Sequence, residues 1–325
     1  MFVCMMATGK GGVALDSMWL LFQELSILYA ICLIGFIAKR AKLLTQHADQ
    51  VLTQLILSIT LPALIVYAMN FSFGGDDWLA FGQLIFLSAY ALGIAIMLAW
   101  LLNRLTSIEQ EKLGIYQSLI IFGNQGFIGF ALCYILFAEI GIAYAAVFNL
   151  IYLILIWTYC PYLIGRNKTT FTWKHMLFNP GIIATFVGFV CCLLPAPLPT
   201  PLLSLLEQIG KMTIPLSMLL IGGLLANLAW KELGRYARDK WIWTASFAKL
   251  IVIPLCLFPM LLLPFPFTVI AIATLITASP SAPTTSLFAQ KYSGDIYFAS
   301  AGVFLSTALA GITIPLIYLL LLWLR

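Results

Sequence analysis

Apolar residues run along this chain in unbroken stretches of roughly 20, separated by short polar connections. That length carries a helix across a hydrocarbon layer of about 30 Å. Ten such stretches are legible, at approximately 19–38, 50–69, 78–102, 113–138, 141–164, 178–194, 202–228, 241–263, 266–290 and 297–323. The strands of a membrane barrel would be about half as long and would alternate polar with apolar positions. The pattern therefore predicts an all-α polytopic bundle.

Two of the stretches are interrupted. Gly123-Asn124-Gln125-Gly126 falls inside the fourth, and Ser279-Pro280-Ser281-Ala282-Pro283 inside the ninth. Helix breakers and bare polar groups at such depth are tolerated only where they line a cavity enclosed by protein or wetted by water. Breaks at corresponding places in two halves are the best pointer from sequence to a transporter's binding site. A second correspondence supports the halves: Thr60-Leu61-Pro62 in the second stretch returns as Thr213-Ile214-Pro215 in the seventh, at nearly the offset that separates the two interruptions. With five spans per half, an odd number, the copies would face opposite ways across the membrane, as an inverted repeat. The expected division is a tail over 1–17, a first five-helix repeat over 18–164, a cytoplasmic linker over 165–177 and a second repeat over 178–325.

Composition agrees with a membrane protein: 62% of the 325 residues are hydrophobic, 9% are charged, and the mean hydropathy is +1.03. The net charge of +5 is topological and is not the footprint of a nucleic-acid partner. Lys39, Arg40 and Lys42, then Arg104 and Lys112, Arg166, Lys168 and Lys174, Lys231, Arg235, Arg238 and Lys240, and finally Lys291 all follow odd-numbered stretches. The opposite connections carry Asp76, Asp77, Glu139 or no charge. Basic loops stay cytoplasmic, so both termini, including the 1–17 tail, are expected to face outward. A cleaved signal peptide is not expected, because the first apolar run ends in Lys39-Arg40 without a small-residue cleavage site. The seven cysteines lie scattered, nearly all in apolar spans, and read as small hydrophobes. His47 and His175 fall in loops, and neither HExxH nor GxSxG occurs, so no enzyme, metal site or cofactor is expected.

The candidate binding residues come from the interruptions. Gly123 and Gly126 allow close backbone approach, while Asn124 and Gln125 bring amides to mid-membrane. Pro280 and Pro283 remove backbone donors among the hydroxyls of Ser279, Ser281 and Thr284. For both segments the bland alternative is a kink or cap satisfied by neighbouring helices. Lys249, some eight residues into the eighth stretch, either snorkels to the cytoplasmic face or supplies a positive partner for an anion. Lys211 follows Glu207 by one helical turn, in the order that favours mutual neutralisation. Asn149, Thr60 and Thr213, with that pair, are second-rank candidates for an ion or a supporting role.

At these residues the chain resembles the auxin efflux carrier family, which comprises the plant auxin exporters and bacterial relatives often described as malate or malonate permeases. The likeness runs from about Met18 to the end. It is most specific at Gly123-Asn124-Gln125-Gly126-Phe127-Ile128-Gly129, at Ala278-Ser279-Pro280-Ser281-Ala282-Pro283-Thr284, at Phe288-Ala289-Gln290-Lys291-Tyr292 and at Ser306-Thr307. Asn149, and Lys249 five residues before Pro254, also match; Ala131 stands where members commonly have proline. The resemblance implies ten helices in two inverted repeats, with broken helices 4 and 9 crossing. It implies a scaffold of helices 1, 2, 6 and 7, a mobile unit of helices 3 to 5 and 8 to 10, elevator-like motion, and often a homodimer. The expected function is secondary transport of a small organic anion, a mono- or dicarboxylate, across the cytoplasmic membrane, with H+ or Na+ open as coupling ion. A sodium-coupled symporter of the bile acid type and a membrane protein that binds without transporting are the alternatives.

Overall fold

The computed structural model describes residues 10–70, 75–105, 107–165, 180–193, 198–226, 235–236 and 238–325. The expected linker, from residue 166 onward, lies outside the described residues, with Arg166, Lys168, Lys174, His175 and Lys231. Among the described residues, regular structure is helical apart from one isolated bridge between Gly123 and Ser281. In chain order the helices are α1 (Lys10–Arg40), α2 (Gln46–Leu55), α3 (Leu61–Ala68), α4 (Gly75–Leu105), α5 (Gln110–Ile121), α6 (Phe130–Gly165) and α7 (Pro180–Leu193). They continue as α8 (Thr200–Lys211), α9 (Thr213–Ala226), α10 (Lys240–Phe247), α11 (Ile253–Leu255), α12 (Phe267–Thr277), α13 (Thr284–Lys291) and α14 (Ile296–Trp323).

Six segments among the described residues are long and apolar enough to cross a membrane: His47–Ala68, Trp78–Leu105, Gln125–Gly165, Thr200–Ala226, Lys240–Leu262 and Ile296–Trp323. Pro180–Cys191 and Phe267–Thr277 are shorter apolar helices. The first helix starts at Lys10, ahead of the expected 19, so part of the expected tail is helical; nothing from Val13 to Met18 breaks a helix.

Prolines explain two of the π-helical turns; Gln125–Gly129, at the first interruption, is a third without one. A proline has no N–H for the carbonyl four residues back and its ring crowds that carbonyl, so the preceding turn widens. Ile56–Thr60 ahead of Pro62, and Ala248–Val252 ahead of Pro254, are accordingly π-helical. Ahead of Pro215 the helix instead restarts at Thr213. The long run of α6 has a different division: Ala138 has φ 51° and ψ −141°, a conformation no helix contains. Past it the chain folds back, since a Cβ added at Gly141 would lie 2.1 Å from the Cys133 carbonyl oxygen. This division falls between the expected fourth and fifth stretches.

Packing separates into two groups. In one, α1 lies along α9 at backbone contact, each through a glycine: a Cβ at Gly35 would meet the Leu219 oxygen at 2.2 Å, and one at Gly222 the Cys32 oxygen at 1.8 Å. The Lys39–Asp49 ion pair, 2.5 Å and largely buried, ties α1 to α2, and Gly210 seats α8 on Leu64 of α3. In the other, α4, α5, α6 and α10 to α14 surround the two interruptions. Phe122 and Ala282 belong to one buried apolar cluster and Ile128 and Ala278 to another, so the interruptions lie where the two clusters meet.

Candidate functional site

Helix α5 ends at Ile121, and the chain runs extended through Phe122 (φ −96°, ψ 117°) to Asn124 (φ −75°, ψ 57°). Helix α12 ends at Thr277, and Pro280 and Pro283 keep the following residues out of helix. Backbone groups exposed in this way inside an apolar interior must find partners. Each broken segment supplies them to the other. The Asn124 N–H donates to the Pro280 carbonyl at 2.6 Å, and the Ala282 N–H donates to the Phe122 carbonyl at 2.9 Å. This is the antiparallel bridge of Gly123 and Ser281.

Hydroxyls complete the junction. The Ser281 N–H donates to Ser306 Oγ at 3.1 Å, while Ser281 Oγ donates at 2.7 Å to the Leu119 carbonyl, one of those left over at the end of α5. Tyr152 donates its hydroxyl to the Gly123 carbonyl at 2.6 Å, and Ser279 Oγ donates to the Ile276 carbonyl at 2.5 Å. Gly129 is close by, since a Cβ there would sit 3.2 Å from Ser279 Oγ. Tyr152 and Ser306 were not picked out as site residues from the sequence. Both stand on helices with no interruption of their own, and only the Ser306-Thr307 match to the family hinted at either.

Beyond each break a helix begins again, at Gln125 and at Thr284. The first N–H groups of a helix have no partner within it, and its N-terminus carries a partial positive charge. Two such ends therefore start at one junction. Gly126 is half-buried and has open space where a side chain would stand.

Lys249 lies on the π-turn before Pro254 and is 1% exposed. It does not snorkel. A Cβ built on Gly123 would fall 2.8 Å from Lys249 Nζ, 2.9 Å from its Cε and 3.4 Å from the Ser279 carbonyl oxygen, so the ammonium occupies the space beside the first break. Among the described residues no carboxylate pairs with it. A buried ammonium without an anion is costly, because its desolvation is not offset.

Other buried polar atoms near the breaks find no protein partner: Asn124 Nδ2, Gln125 Oε1, Thr284 Oγ1, those of Thr285 and Thr307 and, unforeseen from the sequence, that of Thr277. Each such group costs about 1–3 kcal/mol if left alone. The structure thus brings together Gly123, Asn124, Gln125, Ser279, Pro280, Ser281 and Lys249, with Gly126, Pro283 and Thr284 at the restarting helices. Asn149 is buried on α6 with both side-chain atoms unpartnered, and Thr60 and Thr213 are buried beside their prolines with unpartnered hydroxyls. Glu207 and Lys211 bond to each other at 2.5 Å.

The junction thus gathers one buried amine, two helix starts and several amide and hydroxyl groups. An uncharacterized transporter of Methanocaldococcus jannaschii is 25% identical over 301 residues, covering 89% of this chain and 95% of the relative. The family described as "Membrane transport protein" matches residues 20–169 and 165–318. The chain belongs to this membrane transport protein family, that of the auxin efflux carriers.

Proposed function

We propose that this protein is a secondary transporter of a small organic anion, a mono- or dicarboxylate such as malate or malonate, across the cytoplasmic membrane. The observation that carries the reading is the buried Lys249 amine beside Gly123, with no carboxylate paired to it among the described residues. An incoming carboxylate would offset the desolvation of that amine in its charged form. It would also accept from Asn124 Nδ2 and from the N–H groups that open the helices at Gln125 and Thr284. The substrate then supplies the counter-charge that the chain withholds, and binding is selective for anions.

In this proposal the ten stretches span the membrane as two inverted repeats with both termini outward. The group built on α1, α2, α3, α7, α8 and α9 stays fixed, while the group holding both breaks moves past it, exposing the site to one side and then the other. Support comes from the contact between the groups: α1 and α9 meet the break-bearing unit along a narrow apolar seam lined by Leu28, Cys32, Ile128, Met218 and Ile221. Tyr29 crosses it, its hydroxyl donating to the Thr307 carbonyl at 2.6 Å. A seam of that kind slides more readily than one laced with ion pairs.

The test is uptake of radiolabelled malate and malonate into proteoliposomes, with external sodium and with potassium in its place. Uptake by the wild type that is lost in Asn124→Ala supports the proposal. Uptake equal in Asn124→Ala, in a correctly inserted protein, refutes the site. Uptake that vanishes without sodium assigns sodium coupling.

A further inference from the structure

Helix α8 carries a polar stripe into the depth of the membrane. Ser204, Glu207, Gln208 and Lys211 recur at i, i+3, i+4 and i+7, which places them on one helix face. The face carrying Gly210 is seated against Leu64 of α3. Ser204, Gln208 and Lys211 are exposed and Glu207 partly so, and the side chains of the Lys211–Glu207 pair are 50% and 35% exposed. Lys211 stands eleven residues from the start of α8 at Thr200, about 16 Å in at the helical rise. An exposed ion pair at that depth is costly against lipid and calls for water or a polar protein surface beside it. Leu202, Leu205 and Met212, also exposed, lie on another side of the helix and suit lipid instead.

Across from the stripe stand Tyr67, from α3, and Tyr134, both within electrostatic reach of Lys211. Tyr134 belongs to the helix that restarts at the first break. The stripe thus faces the group that holds the junction.

We infer that this face of α8 lines a water-filled outer approach to the anion site, and that Glu207–Lys211 is its charge gate. Lys211 is the deepest charged group of the stripe. An incoming carboxylate takes Lys211 from Glu207, and Glu207 reclaims it once the anion has passed. The gate rests on the proposed anion transport, and the water-filled approach on the proposed placement of α8 across the membrane.

Thiol labelling tests both without a known substrate. Ser204→Cys, Gln208→Cys and Leu205→Cys are made in a background lacking the native cysteines, with Thr200→Cys as a reactive control. Sealed right-side-out vesicles are treated with two membrane-impermeant methanethiosulfonates, one sulfonated and one bearing a trimethylammonium group. The inference expects Ser204→Cys and Gln208→Cys to react and Leu205→Cys to stay unlabelled. Adding Glu207→Gln to Gln208→Cys raises the ratio of anionic to cationic labelling rates by about thirtyfold, and Lys211→Gln lowers it as much, because one unit charge at about 4 Å in water shifts each reagent's rate about fivefold and in opposite directions. Failure of positions 204 and 208 to label while position 200 reacts, or labelling from the cytoplasmic side alone, overturns the approach. Labelling whose ratio ignores both charge variants overturns the gate, and neither result touches the uptake test of Asn124.

Discussion

Asn124 and Pro280, from opposite halves of the chain, share a backbone hydrogen bond of 2.6 Å in the membrane interior. The bond explains how two interrupted helices persist there. The mutual pairing satisfies the backbone and leaves the side chains of Asn124 and Lys249 for a ligand.

Lys249→Met is expected to fold at least as stably as the wild type, because it replaces a buried, unpaired charge with an apolar chain of similar length. Anion binding should weaken by about a hundredfold or more, in line with the 2–5 kcal/mol lost when a buried charge contact is truncated. Thermal unfolding without ligand, followed by equilibrium binding, separates the two effects. A variant that unfolds early would make Lys249 structural instead.

Gly123→Ala would place a methyl group 2.8 Å from Lys249 Nζ. The clashing atoms are the far end of a flexible side chain, so the ammonium shifts and the backbone holds. Stability should fall by no more than about 1–3 kcal/mol, the range for overpacking, while anion affinity drops about tenfold or more from displacement of the charge. Gly126→Ala meets no protein atom and should leave stability nearly unchanged, while its methyl group occupies space at the start of the helix that the anion approaches and weakens binding. Thermal unfolding and binding isotherms of the two variants side by side give the contrast.

Ser306→Ala removes the acceptor of the Ser281 N–H and strands that donor in the interior. The expected loss is about 1–3 kcal/mol. Tyr152→Phe removes a donor from the Gly123 carbonyl and should cost a comparable amount or less. Denaturation in mixed micelles checks both, and unchanged stability would mean that the junction is held differently.

Ala138→Gly should stabilise the protein by up to about 1 kcal/mol. Alanine at φ 51°, ψ −141° is strained by about 1–3 kcal/mol, and the added freedom of glycine in the unfolded chain returns part of that. The same denaturation experiment applies.

Residue chemistry made some of this legible. Gly123 to Gly126 and Ser279 to Pro283 announce breaks, because glycine and proline change backbone behaviour wherever they stand, and the boundary near residue 138 follows from the lengths of the apolar runs. Lys249 stood out as a charge in an apolar run, but which way it turned depended on Gly123, in another helix. The pairing of Asn124 with Pro280 is a relation between distant segments, for which neither segment alone carries a signal. Tyr152 and Ser306 sit in regular helix, where a hydroxyl that bonds its own turn and one that reaches across look identical in sequence. The turn at Ala138 has no glycine or proline to mark it; close packing of Gly141 on Cys133 imposes it.

The central claim is that the paired breaks and Lys249 hold a small organic anion. Thermal unfolding of the purified protein across a panel of mono- and dicarboxylates, amino acids and aromatic acids tests it most directly, with Lys249→Met measured in parallel. A carboxylate at about a hundred times the wild-type dissociation constant should stabilise the wild type by about 2.7 kcal/mol and Lys249→Met by no more than about 0.4 kcal/mol. A carboxylate that stabilises both proteins equally would contradict the site, and stabilisation by neutral or cationic compounds in place of anions would contradict the substrate class.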